Sequence, residues 1–190
     1  MFNWKTITLE NYAAIDALKR VPAPEDRMAL LDHYASLLSL ATGLSEEHYS
    51  ELPLSELGDK AILLDSFLSV EPSARLLKIF WFGGRRFTIK LTQDEVTKNQ
   101  AMSTKGLHLT PENMASKMPE LLAVITEETF TFRKKLSFAQ KVSLFQRLPS
   151  SIGIGVCVFF WEVSKELQNS SLTYLETEAA KLMKILNPNN

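Results

Sequence analysis

Apolar residues recur at spacings of three and four along the first 70 residues, which is the period of a helix with one buried face. Residues that favour helix N-caps, such as Thr8 and Ser45, alternate with proline or glycine stops such as Gly43. This pattern predicts three long helices and a short one, near residues 8–21, 25–43, 45–52 and 55–69. The inward residues of the third long helix are expected to be Leu57, Ala61, Leu64 and Phe67.

The period changes to two in the middle of the chain. Two runs rich in aromatic and β-branched residues, 76–82 and 85–91, flank Gly83 and Gly84. A glycine pair suits a two-residue turn that needs positive φ at both positions, so the pattern predicts a β-hairpin. A lone hairpin is marginal in water, so we expect it to pack on helices or to pair with a third strand. The two candidate strands are Trp4 to Thr8 and Thr129 to Phe132.

Helical spacing returns after residue 91. Thr92, Thr110 and Ser137 each stand where a helix is expected to begin, and a bend is expected at Pro119. An apolar core helix is then predicted from Ile152 to Leu167, and a terminal amphipathic helix from Ser171. The whole pattern predicts a mainly α protein with one β-hairpin, that is, an α+β fold in which a helical domain carries a small antiparallel sheet.

Composition is that of an ordinary globular chain: 190 residues, 45% hydrophobic and 23% charged, with a net charge of −1. Charge is unevenly distributed, however, because residues 1–71 carry a net −7, residues 72–148 a net +7 and residues 149–190 a net −1. We therefore distinguish an acidic N-terminal helical region, a basic region of hairpin and helices, and a C-terminal helical hairpin, and expect them to form one compact unit.

The opposite charges of the first two regions have two interpretations. In the first, the regions dock within one monomer, which is the commoner arrangement. In the second, the acidic surface of one copy meets the basic surface of the next, a heterologous contact that builds rings or filaments.

No constellation typical of an enzyme is found in the sequence. The three histidines stand in separate elements, without partners at a metal-ligand spacing. Gly153 and Gly155 form a G-x-G without a third glycine or a preceding strand, so close helix approach or a bend is favoured over dinucleotide binding. The adjacent carboxylates Glu127 and Glu128 point apart if helical. We therefore predict a non-enzymatic protein with no catalytic residue, no cofactor and no metal.

Basic and aromatic residues in and after the hairpin are the candidate interaction residues: Trp81, Arg85, Arg86, Arg133, Lys134 and Lys135. Arginine beside aromatic rings suggests a stacking surface for single-stranded nucleic acid. Against this, hairpin aromatics usually form the buried face, and acidic residues offset the basic ones overall. Protein contact is therefore favoured, and nucleic-acid binding is the alternative.

Targeting and membrane signals are not expected. The N-terminus lacks the basic start and apolar run of a secretory signal. The most apolar stretch, Ile152 to Trp161, is about half the roughly 20 residues that cross a bilayer. The single cysteine, Cys157, cannot form an internal disulfide and fits a reducing compartment.

Five phrases occur in order along the chain: Trp4 to Leu9 leading into a helix, Leu40 to Leu44 followed by Ser45-Glu46-Glu47, Leu52-Pro53-Leu54 before another helix, the Gly83-Gly84 hairpin, and Thr92 to Gln100. In this order of elements, residues 4–147 resemble a group of tailed-bacteriophage tail assembly chaperones and related virion-assembly proteins. The C-terminal third departs from that pattern.

The resemblance implies a non-catalytic protein that binds virion or tail proteins, either as an assembly chaperone or as a structural subunit of the virion. It also implies a location in the cytoplasm of a host bacterium, in the virion, or in both. The charge pattern, rather than the resemblance, makes a second copy of the chain a further candidate partner. It transfers no defined site residue to this chain.

Overall fold

The chain folds as a series of helices interrupted by a small sheet. The structure is a computed structural model that describes residues 2–70, 77–90, 98–129, 134–156 and 158. The helices are α1 (Leu9–Arg20), α2 (Arg27–Thr42), α3 (Glu46–Ser50), α4 (Leu54–Ser69), α5 (Lys98–Gly106), α6 (Met114–Ile125) and α7 (Phe138–Gln146), and residues 150–156 begin a further helix, α8. The strands are β1 (Ile79–Phe82), β2 (Arg85–Ile89) and β3 (Thr126–Thr129). The predicted fold class is confirmed.

Side-chain caps explain where the N-terminal helices begin. Thr8, Asp26 and Ser45 each accept a hydrogen bond from the backbone N–H three residues ahead, at 2.9–3.3 Å. These bonds satisfy amides that have no partner within the helix. Gly43 ends α2 with φ +78°, a left-handed conformation that glycine adopts without steric cost. The predicted helix starts and stops in this region are confirmed.

The described residues form two hydrophobic cores, which share α1. The N-terminal core lies among α1, α2, α3 and α4; its buried residues are Ile7, Ile15, Ala35, Leu37, Leu38, Ala41, Tyr49, Leu57 and Leu64. The C-terminal core joins the sheet to α6, α7 and α8 and also contains Leu9, the first residue of α1. Tyr12 packs against both cores. The side of α1 that faces α6 thus joins the acidic region to the basic one.

The hairpin turn forms as expected. Gly83 and Gly84 have φ +56° and +69°, the signs that a two-residue turn between twisted strands requires. Strand order is β1-β2-β3, both pairs are antiparallel, and Trp81 stands opposite Arg86. Phe87 packs on the inner face, with its ring centroid 5.0 Å from that of Phe145 in α7.

The third strand differs from both candidate segments. β3 begins three residues before the predicted Thr129 to Phe132 and includes its first residue, Thr129, while residues 130–132 lie outside the described residues. The segment Trp4 to Thr8 is not a strand of this sheet, because its described pairing is a single bridge from Thr8 to Pro149. Flanking hydrogen bonds, from Leu9 N–H to the Leu148 carbonyl and from Ser150 N–H to the Ile7 carbonyl, hold α1 against the start of α8 instead.

A helix boundary was also predicted wrongly. Thr110 does not cap α6, which begins at Met114 with Asn113 in the cap position. Thr110 N–H donates to Asn113 Oδ1 at 2.8 Å, and Asn113 N–H donates to Thr110 Oγ1 at 3.3 Å. This reciprocal pair closes residues 110–113 into a turn, so the helix starts later.

Several predictions lie outside the described residues. They concern the helix start at Thr92, the later part of the core helix, and the terminal helix from Ser171. The start of the core helix is described, and there Gly153 lies close to α1 and α6, as expected of a glycine that permits helix approach.

Candidate interaction surface

Arg85 is an internal structural residue of the hairpin. Its guanidinium forms an ion pair with Glu128 of β3, and only 13% of the Arg85 side chain and 1% of the Glu128 side chain are exposed. Arg85 also donates to the Lys134 carbonyl at 3.1 Å, while Leu136 N–H donates to Glu128 Oε2 at 3.0 Å. The pair therefore ties the hairpin to the segment that leads into α7.

Glu128 remains ionised in this setting. Burial raises the pKa of its carboxyl, but the hydrogen bond from Leu136 N–H, the bond and charge of Arg85, and the charge of Lys141 outweigh burial, so its pKa lies below the usual value. Every described polar contact of the carboxylate is thus with a donor or a cation. The buried charge is compensated, as buried charges in folded proteins must be.

A shallow groove of about 260 Å³ lies beside this pair. Its lining residues are Lys90, Gln100, Val124, Thr126, Glu127, Glu128, Lys135, Leu136 and Lys141. Lys90 pairs with Glu127 at 3.0 Å, and Lys141 donates to the Thr126 carbonyl at 2.8 Å. Burial lowers the pKa of Lys141; the charges of Glu128 and Glu127 oppose this shift and that of Lys135 adds to it. Lys90 and Lys141 are therefore held by contacts within the fold itself.

Acid is expected to weaken the fold through these carboxylates. The pKa values of Glu127 and Glu128 lie below their ordinary 4.5, so below about pH 4.5 the unfolded chain binds more protons than the folded one. The free energy of unfolding should therefore fall as the pH decreases through this range, as measured by urea unfolding between pH 7 and pH 3. Glu128→Gln should make the free energy of unfolding depend less steeply on pH. An unchanged dependence would contradict the conclusion that the Glu128 carboxylate contributes to it.

The outer face of the sheet carries two of the six candidate residues, Trp81 and Arg86. Ile79 and Trp81 of β1 point away from the core and are 43% and 62% exposed. Arg86, opposite Trp81 on β2, shares this outer face and makes no ion pair with any residue that the structure describes. We call Ile79, Trp81 and Arg86 the outer sheet patch.

The candidate residues thus separate into two groups. Trp81 and Arg86 lie opposite each other in the outer sheet patch. Arg85 instead pairs with Glu128 and donates to the Lys134 carbonyl, and Lys135 lines the groove. Arg133 lies outside the described residues. Adjacent residues of a strand point to opposite faces, which is why Arg85 and Arg86 act in different places.

Sequence reasoning missed Glu128 and Lys141, which organise the groove. Residues 126–129 read Thr-Glu-Glu-Thr, which carries no apolar alternation, so the sequence offered no local signal for a strand there. Sequence reasoning also missed a second exposed surface, on α4. Leu57, Ala61 and Leu64 are buried as predicted, but Ile62 and Leu63 are 67% and 62% exposed.

The comparisons with known proteins add no family to this picture. No protein-family model matches the chain, and no curated protein or solved structure shows significant similarity to it. Within the ranges that the structure describes, no helix is long and apolar enough to span a membrane, and no group of histidine, cysteine and carboxylate side chains could hold a metal ion.

Proposed function

We propose that this chain is a non-enzymatic protein-binding protein of tailed-phage assembly, acting as an assembly chaperone or as a structural subunit of the virion. The phage context rests on the resemblance of residues 4–147. The binding role rests on the outer sheet patch, which is the observation that carries the proposal.

The chemistry of that patch favours a protein partner. Tryptophan and arginine, which lie together in this patch, are among the residue types that contribute most to the energy of protein interfaces, and the exposed isoleucine adds apolar area. A solvent-facing sheet surface needs no such apolar side chains for stability, because the Phe87 side of the sheet already supplies its core contacts. Binding of a partner protein explains why Ile79 and Trp81 are apolar although they are exposed.

Nucleic-acid binding is the second candidate, and Trp81 opposite Arg86 favours it, since a base can stack on the ring while arginine contacts a phosphate. The neighbouring cations weaken this alternative. Arg85 is committed to Glu128 and Lys90 to Glu127, so each is partly neutralised by a carboxylate of β3. Phosphate binding depends on several cations that are available together.

A binding assay with matched variants separates the two functions. The purified chain is mixed with virion and tail proteins encoded in the same genome, and association is followed by light scattering; a gel shift with single-stranded DNA runs in parallel. We expect association with a virion or tail protein that Trp81→Ala weakens by at least about tenfold. Met102→Ala, which truncates an equally exposed apolar side chain on α5, should leave association unchanged.

The salt dependence of the same assay tests the charge contribution. Association should weaken as salt rises from low to moderately high concentration, and Arg86→Glu should weaken it at low salt. A chain that binds none of these proteins but shifts DNA, and loses that shift in Arg86→Glu, would overturn the proposal in favour of nucleic acid.

A further inference from the structure

We propose that the outer sheet patch binds a second copy of this chain, and that the copy presents the outward side of α4. This inference rests on the proposed function, because it names a partner for the same patch. The contact joins two different surfaces, one from each region of opposite charge.

The outward side of α4 is an unusual surface for a helix that already has a buried stripe. Ile62 and Leu63 are adjacent in sequence and lie opposite the side that Leu57 and Leu64 bury in the N-terminal core. A helix at the surface normally carries polar residues on that side. We call Ile62, Leu63 and the acidic Asp59, one turn before Leu63, the α4 patch.

The two patches are complementary in charge as well as in apolar character. The α4 patch belongs to the region of net charge −7 and the outer sheet patch to the region of net charge +7. Asp59 and Arg86 each make no ion pair with a described residue. A contact that covers both patches would bury Ile62, Leu63 and Trp81 and bring these two charges to the same interface.

The structure also favours contact between copies over contact within one monomer. The acidic and basic regions do meet inside the monomer, through α1 and α6, yet Ile62, Leu63 and Trp81 all stay exposed there. Internal docking therefore leaves both patches available. Because they differ, a copy that uses one patch keeps the other free, so the contact can propagate into a ring or a filament.

Two variants, each lacking one patch, give a direct test. Ile62→Asp with Leu63→Asp blocks the α4 patch, and Trp81→Ala with Arg86→Glu blocks the outer sheet patch. At low salt the unaltered chain should increase in mass with concentration in analytical ultracentrifugation, whereas each variant alone should stay monomeric. An equimolar mixture should stop at a 1:1 complex, since each variant retains the patch that the other lacks.

Met102→Ala serves as the matched control and should assemble like the unaltered chain. Thermal unfolding checks that both variants fold. A variant of the α4 patch that does not fold is replaced by Ile62→Ser with Leu63→Ser, and a variant of the outer sheet patch that does not fold is replaced by Trp81→Ser alone. A monomeric unaltered chain, a variant that assembles normally, or a mixture that forms no complex would each overturn the inference. A symmetric sheet-to-sheet dimer would do so too, because the α4-blocked variant would then still dimerise.

The two proposals fail in different ways. A chain that remains monomeric but binds a virion or tail protein through Trp81 overturns the copy-to-copy contact and leaves the proposed function standing. A chain that binds only DNA overturns both.

Discussion

Replacing Glu128 with alanine is expected to lower the free energy of unfolding by about 3–5 kcal/mol, the usual cost of removing one partner of a buried ion pair. The substitution leaves the Arg85 guanidinium largely buried without its carboxylate, and it deprives Leu136 N–H of its acceptor. Urea unfolding followed by circular dichroism measures the loss. The matched control is Lys60→Ala, which removes the exposed Lys60–Glu56 pair and should change stability by no more than about 1 kcal/mol.

A double-mutant cycle tests whether the cost comes from the pair itself. Arg85→Met and Glu128→Leu should each be strongly destabilising, because each leaves one buried charge uncompensated. The double variant leaves neither charge, so its loss of stability should be clearly smaller than the sum of the two single losses. Additive losses would mean that Arg85 and Glu128 stabilise the fold independently.

The parts of the fold that could be predicted are those set by local chemistry. The caps at Thr8 and Ser45, the stop at Gly43 and the turn at Gly83-Gly84 each depend on the conformational preferences of a few neighbouring residues. Such preferences can be read directly from the sequence. The order of elements follows from them, and so does the assignment to a mainly α fold with a small sheet.

The third strand could not be predicted because its stabilising partners are distant in sequence. Residues 126–129 read Thr-Glu-Glu-Thr, and glutamate is depleted in strands. The strand forms because Glu128 pairs with Arg85 and Glu127 with Lys90, about 40 residues earlier. Residues 129–132 contain more aromatic and β-branched side chains, which is why the strand was expected there.

The candidate interaction residues also show what the sequence alone could not predict, namely which contacts each residue makes in the fold. Composition places Arg85 and Arg86 together in one basic cluster, but a strand directs them to opposite faces. Once the register is known, Arg85 belongs to the buried pair and Arg86 to the outer sheet patch. The two-residue turn sets Phe80 opposite Phe87 and Trp81 opposite Arg86, so the exposure of Trp81 follows once Phe87 is known to face the core.

Gly153→Ala is expected to destabilise the protein by about 1–3 kcal/mol, the usual range for overpacking a core. A Cβ atom at this position would lie 2.5 Å from Leu9 Cδ2 and 2.7 Å from Met118 Sδ. Both side chains are buried, so neither can move away without disturbing the contact of α8 with α1 and α6. Alanine favours helix by up to about 1 kcal/mol over glycine, which offsets only part of this cost.

Gly58→Ala provides the matched comparison, because Gly58 also lies within a helix but a Cβ there would have no atom within 4 Å. The same substitution should therefore stabilise α4 by up to about 1 kcal/mol. Thermal or urea unfolding of the two variants should give changes of opposite sign. If both gained stability, the close approach at Gly153 would not limit packing, and the C-terminal core would have room that the structure does not show. If Gly58→Ala alone behaved as expected and Gly153→Ala failed to fold, the contact of α8 with α1 would be a larger part of the stability of the protein than overpacking alone implies.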